Sequence, residues 1–275
     1  MTAELNVMLI TASTEIARYA EASGVQRIFA DMETRGKAVR QGHLDTHKSA
    51  HTLADVSAIS KVLVSAELMV RLNPPWDGTP SEVEDAISAG AQRLMLPLFT
   101  SAIEVRQFLY NVAGRVPVTL LVETPQALVR LPAYLSELGR ADHVHFGLND
   151  LTLGCGLHFL FEPLAGGLLE APCALCREAG ITFGIGGVGR IGQGEVPADW
   201  IVGEHVRLGS TWVILSRAFR GIADTLDELR CSLDLTAELA ALHRVEAAFR
   251  MGHLSIEDNR KRFVERAFSL AGQRE

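Results

Sequence analysis

Two carboxylates sit where short apolar runs end. Glu123 follows Val118–Val122 and Asp150 closely follows His143–Phe146, the strand-like runs of two successive strand–helix units. Neighbouring parallel strands lie about 4.8 Å apart, so acids at the ends of consecutive strands can reach one ion. Two carboxylates without histidine or cysteine suit a hard cation such as Mg²⁺ or Mn²⁺, which keeps coordination positions open. A 2-oxo acid fills such positions with a carboxylate oxygen and its keto oxygen, and the metal then stabilises the enolate formed on deprotonation or C–C cleavage. Either acid alone reads as a helix N-terminal charge; the matched pair favours the metal. Arg71 ends a third run, Leu68–Leu72, where a guanidinium can hold a substrate carboxylate by a two-pronged hydrogen bond. A salt bridge to Asp31 or Glu123 is the structural alternative. Gly147 and Asn149, beside Asp150, complete the substrate-facing set expected there.

Proton transfer needs a further group. His43, His47 and His51 fall in the polar stretch Thr34–Ser49 or just after it, and histidine titrates near neutral pH. His51 is the preferred candidate, with Asp31 and Glu33 as possible bases. Lys37 and Arg40 are positioned to meet a phosphate or second carboxylate. Gly187, Gly189 and Gly192 match G-x-G-x-x-G, the pattern of a dinucleotide loop, but Gln193–Pro197 does not open a long helix at the third glycine. An anion or substrate-tail site built on Arg190 and a helix start at Gly209-Ser210 is the better expectation. Cys173 and Cys176 have CxxC spacing without a second such pair and read as two half-buried helix cysteines.

The elements that must position these residues alternate. Apolar runs at Val7–Ile10, Arg27–Ala30, Leu68–Leu72, Arg93–Leu96, Val118–Val122, His143–Phe146, Thr182–Ile185 and His205–Leu208 are each followed by a helical pattern or a long loop. Repeated strand–helix units imply parallel strands, and eight of them close a (β/α)8 TIM barrel, whose active site lies at the C-terminal ends of the strands. A helix is expected from Thr211. Residues 1–221 form this expected barrel. Residues 222–275 read as helix alone, with apolar residues at helical spacing, and are expected to pack on their own barrel or on a neighbour's, with oligomerisation the favoured role.

With 48% hydrophobic residues the chain can bury a sizeable core, and its net charge of −7 argues against a nucleic-acid partner. No apolar run approaches the ~20 residues of a membrane span, and the first residues lack signal-peptide character, so a cytoplasmic location without membrane contact is expected.

Four motifs carry a resemblance over roughly Leu5 to Phe219: Phe29-Ala-Asp-Met-Glu33, Val70-Arg71-Leu-Asn-Pro74, Leu121-Val-Glu123-Thr124 and Phe146-Gly-Leu-Asn-Asp150-Leu. They resemble the HpcH/HpaI aldolase and citrate lyase beta-subunit family, within the phosphoenolpyruvate/pyruvate barrel superfamily. The resemblance implies Glu123 and Asp150 as metal ligands and Arg71 as the oxo-acid anchor. It implies a metal-dependent carbon–carbon lyase or aldolase acting through a pyruvate-type enolate, usually as a homo-oligomer, with an aldehyde or acyl partner. A citrate-lyase-like acyl-CoA lyase and a catalytically idle scaffold are the alternatives. Thr34 stands where aldolases of the family carry an acid/base histidine and the citrate-lyase branch an aspartate, which marks a divergent branch. Similar unassigned proteins associated with surface-polysaccharide loci imply a sugar-derived partner.

Overall fold

Eight parallel strands close into a barrel in which each strand pairs with its sequence neighbours and β1 pairs with β8. The computed structural model describes residues 4–36, 51–219, 223 and 225–274; Lys37, Arg40, His43 and His47 lie outside them, as does the expected boundary at 221/222. The strands are β1 Asn6–Ile10, β2 Arg27–Asp31, β3 Glu67–Arg71, β4 Arg93–Leu96, β5 Val118–Val122, β6 His143–Phe146, β7 Thr182–Val188 and β8 Trp212–Leu215. Outward-facing residues of the strands, such as Val7, Leu68 and Leu120, pack under the surrounding helices in one continuous core. Inward-facing Met8, Phe29, Met69, Met95 and Leu121 form a second, smaller cluster that fills the barrel. It is a packed core and not a pore, as the period-2 alternation of strand side chains requires.

Beneath that cluster the barrel floor is charged. Glu67 accepts hydrogen bonds from Arg27 Nε (2.6 Å) and Arg93 Nε (3.0 Å), and the Arg27 guanidinium lies over the Trp212 ring at 3.7 Å. Arg27 and Glu67 are register partners on β2 and β3. Burial pulls the Arg27 pKa down to about 10 against the attraction of Glu67.

The structure corrects the end of the barrel. His205–Leu208 belongs to the helix Ala198–Leu208, and the eighth strand is Trp212–Leu215, where a helix had been expected. Gly209, at φ +79°, closes that helix in the left-handed conformation that a residue without Cβ adopts freely. Four residues are too few for periodicity to tell a strand from a helix segment, and the polar–apolar alternation of His-Val-Arg-Leu fits either. The helical stretch after β5 is broken into Pro125–Val129 and Pro132–Leu135, because Pro132 lacks the N–H that would continue the first. Cys173 and Cys176 are fully buried on Glu170–Glu178, and burial pushes both thiols up.

The C-terminal helices Leu235–Arg250 and Ile256–Ala271 pack on Ala198–Leu208 of their own barrel. Glu246 reaches back across the whole chain: its Oε1 accepts the N–H of Leu5 at 2.8 Å, just before β1. No described helix is long and apolar enough to cross a membrane.

Candidate active site

The C-terminal ends of the strands open into a cavity of about 650 Å³. Asp31, Arg71, Glu123, Gly147, Asn149 and Asp150 all line it. Asp31 and Arg71 are Cα partners at the ends of β2 and β3. Their side chains form a two-pronged pair, Arg71 Nε to Asp31 Oδ1 at 2.9 Å and Nη2 to Oδ2 at 2.8 Å, and Nη2 also lies 3.3 Å from Glu33 Oε2. Burial works against the Arg71 charge, but Asp31, Glu33 and Glu123 more than offset it and hold the guanidinium above its ordinary value. The salt-bridge reading of Arg71 is therefore realised, on the cavity wall where a substrate anion would also meet it.

Glu123 follows β5 and is almost wholly buried. Burial pushes its carboxyl up to about 8; Arg71 opposes the shift, while Asp150 and Glu33 add to it. Its Oε1 accepts the backbone N–H of Leu98 at 3.2 Å. Leu98 sits at φ +51°, a left-handed conformation costly for a side-chain-bearing residue, so the turn after β4 carries local strain where it meets Glu123. Asp150 stands in the first turn of the helix Leu148–Gly154, whose N-cap is Gly147. Gly147 is forced to be small: a Cβ there would lie 2.8 Å from Glu123 Cβ and 2.9 Å from its Oε2.

Glu123 and Asp150 are two mutually repelling carboxylates on one cavity. Among the described residues there is no group of three or more histidine, cysteine, aspartate or glutamate side chains in ligating array. The oxygens of Glu123 and Asp150 fit a hard ion whose remaining positions belong to water and substrate. Gly147→Ala is expected to displace the Glu123 carboxylate, to weaken Mn²⁺ binding at least tenfold and to lower the melting temperature, because the buried Glu123 Cβ cannot swing away. Isothermal titration with Mn²⁺ beside a thermal melt checks this, and unaltered affinity would show that the close approach has no consequence for the site.

The remaining sequence candidates are dispersed. His51 is buried behind Asp31 and not on the cavity wall: its Nδ1 accepts the Asp31 N–H at 2.9 Å, which places the proton of the neutral ring on Nε2. Glu33 contacts Arg71 from outside the lining. Arg190 is paired with Glu238 of the C-terminal helices at 2.5 Å. Ser210 precedes β8 and so lies at the opposite, N-terminal end of the barrel, its Oγ 2.9 Å from His205 Nδ1. The anion site expected from Arg190 and Ser210 is thus not assembled. The glycine pattern is no dinucleotide loop either, since β7 runs through Gly187 and the next helix begins only at Ala198.

His145 was missed. It faces inward from β6 onto the cavity, its Nε2 lies 3.0 Å from the Gly186 carbonyl, and its buried Nδ1 has no partner among the described residues. Gly184 makes room for it, since a Cβ there would fall 2.4 Å from Nδ1. The alternation His143–His145 along a strand carried the signal. Phe159, Phe161 and Arg274, also on the cavity, gave none, because the paths of a long connection and of the chain's last helix bring them there.

Three histidines are held neutral by burial: His145 at about 4, His205 at about 3 and His143 at about 2, the last also opposed by Arg93 and Arg27. From pH 6.5 down towards 4 the unfolded chain takes up protons that the folded chain refuses, so each histidine removes stability with a slope near 1.4 kcal/mol per pH unit. Glu123 acts in the opposite sense, because its folded form stays protonated up to about 8 while the unfolded form ionises near 4.5. The net expectation from these four groups is a loss of roughly 2–3 kcal/mol per pH unit below about 6. Urea unfolding at pH 7, 6 and 5 checks it; a flat profile would mean that the histidines are charged in the fold.

No protein-family model matches the sequence, and no curated protein matches it. Solved structures share the fold. An HpcH/HpaI aldolase from Desulfitobacterium hafniense DCB-2 superposes with a TM-score of 0.59 at 16% identity, covering 84% of this chain and 94% of its own. An HpcH/HpaI aldolase/citrate lyase family protein from Burkholderia cenocepacia J2315 gives 0.58 at 18% identity, covering 88% and 95%. At such identities the likeness is one of fold.

Proposed function

We propose that this chain is a divergent member of the HpcH/HpaI aldolase and citrate lyase beta-subunit family, and a metal-dependent carbon–carbon lyase or aldolase that acts on a 2-oxo acid through a pyruvate-type enolate. The observation that carries the reading is the convergence of Glu123, Asp150 and the Asp31–Arg71 pair on one cavity at the catalytic end of the barrel. The motif resemblance and the shared fold point the same way.

Glu123 and Asp150 would hold Mg²⁺ or Mn²⁺, which when bound supplies Lewis-acid stabilisation of the enolate oxygen. Arg71, fixed by Asp31 and Glu33, offers a rigid cation to the oxo-acid carboxylate. Its direction is set before substrate arrives, so little side-chain entropy is lost on binding. Of the expected proton carriers within the described residues, Asp31 alone lines the cavity, and we assign it the proton at the carbon next to the keto group. His51 supports it from behind through the Asp31 N–H. A cytoplasmic homo-oligomer using an aldehyde or acyl partner belongs to the same reading.

Pyruvate in D2O with Mn²⁺, followed by loss of the methyl proton signal, tests the proposal without knowledge of the second substrate. Metal-dependent exchange supports it. Absence of both exchange and metal binding would leave a scaffold role for the barrel.

A further inference from the structure

The cavity is far larger than pyruvate requires: 650 Å³ corresponds to roughly twenty water volumes at about 30 Å³ each. Asp31, Arg71, Glu123 and Asp150 gather at the strand ends, and Gln193, Glu195, Ser216, Arg217 and Arg274 line the side formed by the loops after β7 and β8 and the last helix. One stretch of the wall has a different character. The connection following Leu148–Gly154 contributes Phe159, Leu160 and Phe161 in succession, and Val196 and Leu215 add aliphatic surface from beyond β7 and from β8. Phe159 and Phe161 meet edge to face with ring centroids 5.7 Å apart, and Phe161 packs in the same manner on Phe263 of the last helix at 6.0 Å. The wall is thus braced from behind. At the rim the Arg274 guanidinium lies 4.7 Å from the Phe159 ring centroid and is tied to Glu195 at 2.6 Å, so this cation is already engaged twice.

We infer that the second part of the substrate is apolar: an aromatic ring or an aliphatic chain, carried by the aldehyde or by the 2-oxo acid itself, in preference to a sugar-derived polyol. Hydroxyl groups set against Phe159, Leu160 and Phe161 would lose water without gaining partners from those side chains. Each methylene buried there raises affinity about fourfold. The inference rests on the proposed reaction only in placing the oxo-acid end at Glu123, Asp150 and Arg71.

The test compares three ligands by isothermal titration on the full chain with Mn²⁺: pyruvate, 4-phenyl-2-oxobutanoate and 2-oxo-3-deoxygluconate. The phenyl acid is expected to bind at least tenfold more tightly than either of the others. Leu160→Asp, at a half-buried position, is expected to remove that advantage and leave pyruvate affinity within twofold. Equal or tighter binding of the polyhydroxy acid overturns the inference. Pyruvate exchange in D2O on the same sample separates the two claims. Tight phenyl binding without exchange sinks the enolate chemistry and keeps the apolar site, whereas exchange with a polyol preference does the reverse. Binding of none of the three overturns both.

Discussion

Glu123→Gln is expected to lower metal-dependent proton exchange into pyruvate by about a thousandfold or more while raising the melting temperature. The two effects share one cause. Glu123 is buried beside Asp150 and Glu33, and its carboxyl is held up at about 8, so ionising it within the fold is costly. In the proposed site a divalent cation would offset that cost, and the charge kept at Glu123 would bind the ion. The amide of glutamine has the same shape, still accepts the Leu98 N–H through its oxygen and still fits against Gly147. It supplies no charge to the metal, so the stabilisation of the enolate is lost; removing one preorganised charge or donor of this kind typically costs a hundred- to a thousandfold, and loss of the ion costs more. Asp150→Asn is expected to behave alike in exchange. Methyl-proton loss in D2O and a thermal melt of each variant without metal are the readouts. Exchange within tenfold of the parent chain would remove Glu123 from the mechanism, and a large fall in melting temperature would show that its charge serves the fold instead.

Glu67→Gln is expected to destabilise the fold by roughly 3 kcal/mol. Glu67 is the carboxylate shared by Arg27 and Arg93 at the barrel floor, and the Arg27 side chain is only 2% exposed. Removing one partner leaves buried guanidinium charge under-compensated, the situation in which loss of an ion pair is most costly; the quarter exposure of Glu67 keeps the value at the lower end of the usual range. Arg93 retains the carbonyls of Val118 and Ala141, whereas Arg27 keeps the Trp212 face and an approach to His143. For a chain of this size the melting temperature is expected to fall by about 6–12 °C. An unchanged melt would mean that water reaches the floor and screens the arginines.

Seven strands were legible because each is an apolar run bounded by a turn residue and followed by a helical pattern. The eighth was misplaced because Trp212–Leu215 and His205–Leu208 are both short, and the glycine between them serves equally well as a helix stop or a loop. The place of Glu123, Asp150, Arg71 and Asp31 on the cavity was legible for a geometric reason: in a barrel, residues at or just past the C-terminal end of a strand open to the mouth. Ser210 falls outside the cavity for the same reason reversed, since moving the eighth strand by a few residues sends it to the far end, whereas Arg190 follows β7 but is paired with Glu238. Leu98 acts through its N–H, which no side-chain pattern reveals. Phe159 and Phe161 depend on the route of a connection, set by packing on the last helix and not by local spacing.

The ring of strands has an order in time as well as in space. β1 leaves the ribosome before the other seven strands of the barrel, and one of its two partners, β8, emerges about two hundred residues later; Glu246, which anchors Leu5, comes later still. Throughout synthesis of the intervening strand–helix units, the outer edge of β1 exposes unpaired N–H and C=O groups, a template on which another nascent chain can add a strand. Closure must therefore wait for residue 212, and a chain halted before it leaves that edge of β1 without its partner.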